Sequence, residues 1–87
     1  MEFEFDEAKS LINAEKHGID FTEAQLLCRD ERRLVIQARS ETESRFAIID
    51  LQAGKLWTAI FTVREDRIRI ISGRRARHGE EEGYYNS

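Results

Sequence analysis

The sequence predicts an α+β domain in which two helices pack on one face of an antiparallel sheet. Three observations carry that prediction. In the first third, apolar residues recur at helical spacing between capping residues. Beyond residue 33 the period drops to two, and the later two-period segments are joined by turns too short for a parallel crossover. Eighty-seven residues, 40% hydrophobic and 36% charged, suffice for one modest core, so residues 1–87 read as a single domain.

Phe3 and Phe5 alternate with Glu2, Glu4 and Asp6, the pattern of a short edge strand with one buried face. Asp6 is placed to cap a helix whose Ala8, Leu11, Ile12 and Glu15 stem form its expected buried side. Gly18 supplies the left-handed residue that ends it. Asp20 and Glu23 have capping-box spacing, and the helix they open buries Phe21, Ala24, Leu27 and Cys28 before dissolving in the charged run Arg29 to Arg33. Four strands follow over Leu34–Ala38, Arg45–Leu51, Leu56–Val63 and Arg67–Ser72, giving the order β-α-α-β-β-β-β. The segment around Trp57 is apolar on both faces and belongs in the middle of the sheet. Residues 74–87 carry no firm pattern. A helix over Arg74–Glu82 is weak there, because Gly79 and Gly83 each cost about 1 kcal/mol relative to alanine.

Charge is distributed unevenly. The net charge is −3, yet residues 64–78 hold six arginines against two acids, whereas residues 1–31 hold three bases against nine acids. A generally basic nucleic-acid binder is excluded, but a local basic surface is not. Alternation puts Arg67, Arg69 and Ile71 on one face of the last strand and Ile68, Ile70 and Ser72 on the other. The isoleucines suit the helix-covered face, so the arginines suit the open one, framed by Arg64, Arg74 and Arg75. Guanidinium groups grip phosphate bidentately at any relevant pH, and a nucleic-acid backbone offers that many anionic contacts. The competing reading makes these arginines edge protection or partners for Glu80, Glu81 and Glu82.

Lys16 and His17 precede Gly18, where cations oppose the helix dipole; the alternative role for His17 is proton transfer. Cys28, Trp57 and Phe61 read as core rather than nucleophile or base-stacking platform. Tyr84 and Tyr85 suit either base stacking or a frayed end. His17, His78 and Cys28 have no metal-ligand spacing, and no glycine loop fits a nucleotide, so neither metal nor cofactor is expected. Neither helix is basic enough to enter a DNA major groove. One cysteine, an acidic N-terminus and no apolar run of spanning length predict a cytoplasmic protein away from membranes.

The motifs FEFDEAK (Phe3 to Lys9), Asn13, KHGIDF (Lys16 to Phe21) and FTVREDRIRIISGRRA (Phe61 to Ala76) lie in order along nearly the whole chain. In them the chain resembles the BrnT toxins, RelE-like ribonucleases of type II toxin–antitoxin pairs. The resemblance implies a RelE-like fold and metal-independent RNA cleavage that inhibits translation. It also implies a cognate DNA-binding antitoxin, BrnA-like, through which alone operator DNA is met. Under it, His17, Lys16, Arg64, Arg74 and Arg75 are the candidate catalytic residues, and Arg67, Arg69, Arg77, Lys9 and Asn13 the candidate RNA contacts. Gly73 stands where the family commonly has alanine, and the acidic, glycine-broken tail departs from a basic helix. Those departures keep open an alternative: a toxin-like module that binds its antitoxin without cutting RNA.

Overall fold

The computed structural model describes residues 2–38 and 44–87. The elements are β1 (Glu2–Glu4), α1 (Glu7–His17), α2 (Phe21–Arg29), β2 (Leu34–Ala38), β3 (Arg45–Gln52), β4 (Lys55–Arg64), β5 (Arg67–Arg75) and α3 (His78–Tyr85). The architecture is α+β, with one five-stranded sheet in the order β1-β5-β4-β3-β2. The apolar strand β4 lies at its centre. The sheet is not wholly antiparallel, contrary to the sequence expectation: β1 runs parallel to β5, pairing Glu2 with Arg67, Phe3 with Ile68 and Glu4 with Arg69. No hairpin joins these two strands, so no turn imposes the antiparallel sense that links β2 to β5 in succession.

Both N-terminal helices open on aspartates. Asp6 accepts from the backbone N–H groups of Ala8 and Lys9, and Asp20 and Glu23 form a complete capping box. The second helix behaves as its pattern requires: Phe21, Ala24 and Leu27 join Ile19, Ile48, Ala59, Phe61 and Ile70 in the core, with Cys28 and Trp57 packed against it.

The first helix does not. Leu11 and Ile12 are 70% and 61% exposed, Ala8 and Glu15 are exposed too, and the buried face is Ser10 and Asn13. The reason is what lies beneath. Opposite Asn13 stands Gly73, and a β-carbon there would lie 3.2 Å from Ile19 and 3.5 Å from Asn13. With no side chain to bury against, α1 attaches through hydrogen bonds. The Asn13 carboxamide donates to the carbonyls of Gly73 (2.8 Å) and Ile19 (2.7 Å) and accepts from the Gly73 N–H (3.3 Å). Ser10 Oγ accepts from the Phe21 N–H at 2.9 Å.

A bulge in β5 revises the expected faces. Ile70 pairs with Phe61 and Ser72 with Ile60, which leaves Ile71 as the extra residue. Before the bulge Ile68 and Ile70 face the helices; after it Gly73 and Arg75 do. Ser72, expected beneath the helices, instead shares the opposite face with Arg67, Arg69 and Arg74. The β4–β5 turn places Glu65 and Asp66 at φ 48° and 66°, left-handed conformations without glycine, each costing about 1 kcal/mol.

The tail forms α3 only from His78, because Arg74 and Arg75 belong to β5. This helix has no buried residue. Its ties are Glu80, which accepts from Arg74 and Thr58, and Tyr84, whose hydroxyl donates to Asp50 at 3.0 Å. Asp50 is 1% exposed, and its Oδ2 meets no donor among the described residues. Burial, then the neighbouring Asp30 carboxyl, push the Asp50 carboxyl above its ordinary value. A proton on Oδ2 would serve Asp30.

Two predictions follow from these contacts. Asn13→Ala strands three buried backbone groups and should cost about 3 kcal/mol in urea unfolding, while Asn13→Asp, unable to donate to either carbonyl, should do no better. An Asn13→Ala protein of unchanged midpoint would refute the tie. The second concerns pH. The raised Asp50 pKa means that the native state holds this proton more tightly than the unfolded chain does, so stability rises as pH falls toward 3.8. Glu80, lowered to about 2 chiefly by Arg74, acts oppositely: its contribution is complete above 4.5 and lost as pH falls toward 2. Asp50→Asn, which still accepts from Tyr84 and can donate to Asp30, should add about 1 kcal/mol at pH 7 and abolish the mild-acid rise. A variant that retains that rise would assign it to another group.

Candidate functional site

Lys9, Asn13, Lys16 and His17 fall on one side of α1, four, seven and eight residues from the first. Together with Ile12, Phe21 and the β5 residues Ile71 and Ser72 they line a cleft of about 240 Å³. The cleft exists because β1 is short. It covers β5 only at 67–69, so the outer edge of β5 is open at 71–72 until Asn13 closes it at Gly73. Asn13 thereby acts as a one-residue strand partner. Its carboxamide is committed to the backbone, which makes it a positioning residue of the cleft rather than a free hydrogen-bonding group.

One turn later α1 ends at Gly18, whose φ of 82° and N–H bond to the Ala14 carbonyl close the helix. Gly18 lies over Trp57, 3.9 Å separating the position of a β-carbon from Cη2. The Arg75 guanidinium stacks on that same indole, 5.6 Å from its centroid, and its Nε donates to the Leu56 carbonyl at 3.3 Å. The half-buried His17 and the exposed Lys16 line the cleft beside Ile71 and Ser72, while Lys55 lines the adjoining hollow with Gly18 and Trp57. The sequence reading had Arg74 and Arg75 framing one face. In the structure they point to opposite faces of β5, as neighbouring strand residues must.

The remaining arginines sort by partner. Arg67 lies 3.4 Å from Glu2 and Arg69 3.7 Å from Glu4, pairs created by the parallel β1–β5 register. Arg64 stands across the turn from Arg67, so two like charges face each other, and Glu2 and Glu4 lie against Arg67. Arg74 is held by Glu80 through a two-pronged bond of 2.7 and 2.8 Å, with both side chains 17% exposed. Among the described residues no acid pairs with Arg75, Arg77, Lys9 or Lys16. The described cations therefore include Arg67, Arg69 and Arg74, engaged by carboxylates, and Lys9, Lys16, Arg75 and Arg77, which no described acid pairs.

Sequence reasoning missed Glu2 and Glu4 as partners, and offered Glu80 only in the competing reading. Glu2, Glu4 and Glu80 act on named arginines, and the strand alternation of Glu2 and Glu4 against Arg67 and Arg69 was a signal that only the parallel register makes legible. Cys28 is inert as a nucleophile at neutral pH: burial pushes its thiol up to about 11, against the opposing pull of Arg33 and Arg29. His78 is an exposed partner of Glu82 at 2.9 Å. Tyr84 is engaged by Asp50, and Tyr85 is exposed.

Among the described residues no three His, Cys, Asp or Glu side chains gather as a metal set, and no helix is long and apolar enough to cross a membrane. No curated protein matches the chain. The family model for BrnT, the ribonuclease toxin of type II toxin–antitoxin systems, matches residues 5–80. That span includes the α1 cleft, the corner around Trp57 and the Arg74–Glu80 pair. A family of ribonuclease toxins paired with antitoxins accounts for a small domain that gathers cations and a histidine beside an open strand edge. The chain belongs to the BrnT family of type II ribonuclease toxins.

Proposed function

We propose that this protein is a metal-independent endoribonuclease whose reaction centre draws His17 and Lys16 from the end of α1 and Arg75 from β5. It works on a RelE-like scaffold, cuts RNA in the cytoplasm and so inhibits translation. A BrnA-like DNA-binding antitoxin restrains it and supplies the only link to operator DNA. The observation that supports the catalytic reading is that Gly18, next in sequence to His17, and the Arg75 guanidinium both lie against Trp57.

In this reading the ribose 2′-hydroxyl attacks the adjacent phosphorus, the bond to the 5′ oxygen breaks and a 2′,3′-cyclic phosphate is left. His17 exchanges a proton with the attacking or the leaving oxygen, since imidazole does so near neutrality. Arg75 faces the phosphorane oxygens, held by its stack on Trp57 and its bond to Leu56. Lys9 and Lys16 hold neighbouring phosphates along the cleft, and Arg77 is a candidate for a more distant one. Arg64, Arg67 and Arg69 set the charge of the adjoining face. A binding-only reading has one observation in its favour: Arg67, Arg69 and Arg74 are already matched by acids.

RNA cleavage by the purified, antitoxin-free chain tests this. Activity should persist in EDTA and leave a cyclic phosphate end. His17→Gln should lower the turnover rate by about 10²- to 10⁴-fold and flatten its pH dependence. Arg75→Ala should lower it by roughly 10²- to 10³-fold, and Arg67→Ala by less than about tenfold. Loss of cutting in EDTA with recovery on added divalent ion, or full activity in both strong variants, would sink the proposal. No cutting by the parent chain together with tight antitoxin binding would favour the binding-only reading.

A further inference from the structure

Glu80 makes more contacts than a helix cap needs. Its Oε1 accepts from the Arg77 N–H (2.8 Å), the Thr58 hydroxyl (3.0 Å) and Arg74 (2.7 Å), while Oε2 takes the second prong of Arg74 (2.8 Å). Thr58 is fully buried and Arg74 largely so. These donors, register partners on the paired strands β4 and β5, converge on one carboxylate in the fork geometry by which arginine also takes a phosphate. The carboxylate itself belongs to a loosely attached element. α3 buries no residue, carries Gly79 and Gly83, and is otherwise tied by Tyr84 to Asp50.

We propose that Arg74 and Thr58 form a second phosphodiester site, on the face of β5 opposite Arg75, and that Glu80 occupies it as an internal competitor. The proposal rests on RNA being the substrate. A phosphate group brings the same acceptor geometry with a second polar edge, so it can replace the carboxylate on both prongs and on the hydroxyl. Glu80 and the first turn of α3 then swing outward. Acid does not open the site under ordinary conditions, because Glu80 remains ionised to about pH 2. Opening is by anion exchange, and the closed form lowers affinity for RNA whenever phosphate is scarce.

The test compares Glu80→Gln with the parent chain in binding a short 2′-O-methyl RNA, which cannot be cut. Glutamine keeps an acceptor for the Arg77 N–H but removes the charge that competes for Arg74. Affinity should rise about tenfold and the salt slope should steepen by about one contact's worth. Adding Arg74→Ala to Glu80→Gln should erase the gain. Unchanged or weaker binding by a folded Glu80→Gln protein overturns the proposal, as does a gain that survives loss of Arg74. Should Glu80→Gln fail to fold, Tyr84→Phe loosens the other tie of α3 and should tighten binding about threefold; no change there also overturns it. A separate titration with inorganic phosphate, following the Arg74 side-chain Nε resonance, keeps the two readings apart. If neither protein binds RNA yet phosphate shifts that resonance only in Glu80→Gln, the anion site stands and the RNA reading falls. If phosphate shifts it in neither protein, the anion site falls.

Discussion

The arrangement of this protein depends on the Asn13 carboxamide. It joins α1 to β5 at Gly73 and to the segment between the helices at Ile19. A hydrophobic contact at the same place would tolerate rotation of the helix by several degrees and sliding along its axis. A side-chain amide that both donates to and accepts from one residue's backbone does not, because both bonds degrade steeply with angle. Fixing α1 in this way fixes the position of everything at its C-terminal end: Lys16, His17 and the left-handed Gly18. Gly73 is part of the same device, since a side chain there would press on Ile19, itself 1% exposed and unable to yield freely.

Electrostatics then decides which cations are open. In a chain of net charge −3 the arginines of β5 are not equivalent. The exposed pairs of Arg67 and Arg69 with Glu2 and Glu4 are solvent-screened and of small energy, so they mark the local field rather than hold the fold together. The Arg74–Glu80 pair differs in kind: it is shielded, two-pronged and shared with a buried hydroxyl. Removing one partner would leave the other charge poorly solvated. The same alternation that gives Arg74 to α3 turns Arg75 the other way, onto Trp57. One step along a strand thus separates a cation committed to the tail from one stacked on Trp57.

Much of the fold was legible in the sequence because its signals are local. Asp6, Gly18, Asp20 and Glu23 cap helices through groups within a few residues, and the apolar run around Trp57 marks the central strand without knowledge of its neighbours. What escaped was non-local. The parallel seat of β1 depends on no adjacent turn. The polar buried face of α1 makes sense only once Gly73, sixty residues later, lies beneath Asn13. The bulge at Ile71 shifts the faces of Ser72 through Arg75 by one residue and has no glycine to announce it. At the site, the residue types of Lys16, His17 and Arg75 were visible, but Trp57, which Gly18 and Arg75 both meet, read only as core. Trp57 is in fact both, half-buried against the core and stacked by Arg75 on its outer side.

Under the proposed function, the two roles of Lys16 and His17, helix cap and reactive pair, are compatible. A helix C-terminus concentrates outward-facing carbonyls and favours cations within its last turn. A phosphate approaching that end is repelled by the carbonyls unless cations stand in front of them. Here Lys16 and His17 occupy the last turn, Gly18 turns the chain away without a side chain in the path, and Arg75 stacks on the Trp57 that Gly18 overlies. In the proposed reaction, the residues at the end of α1 are thus the ones that make it approachable by an anion. Because α1 itself is anchored by Asn13 rather than by a greasy face, the cap can be tuned for chemistry without loosening the helix that bears it.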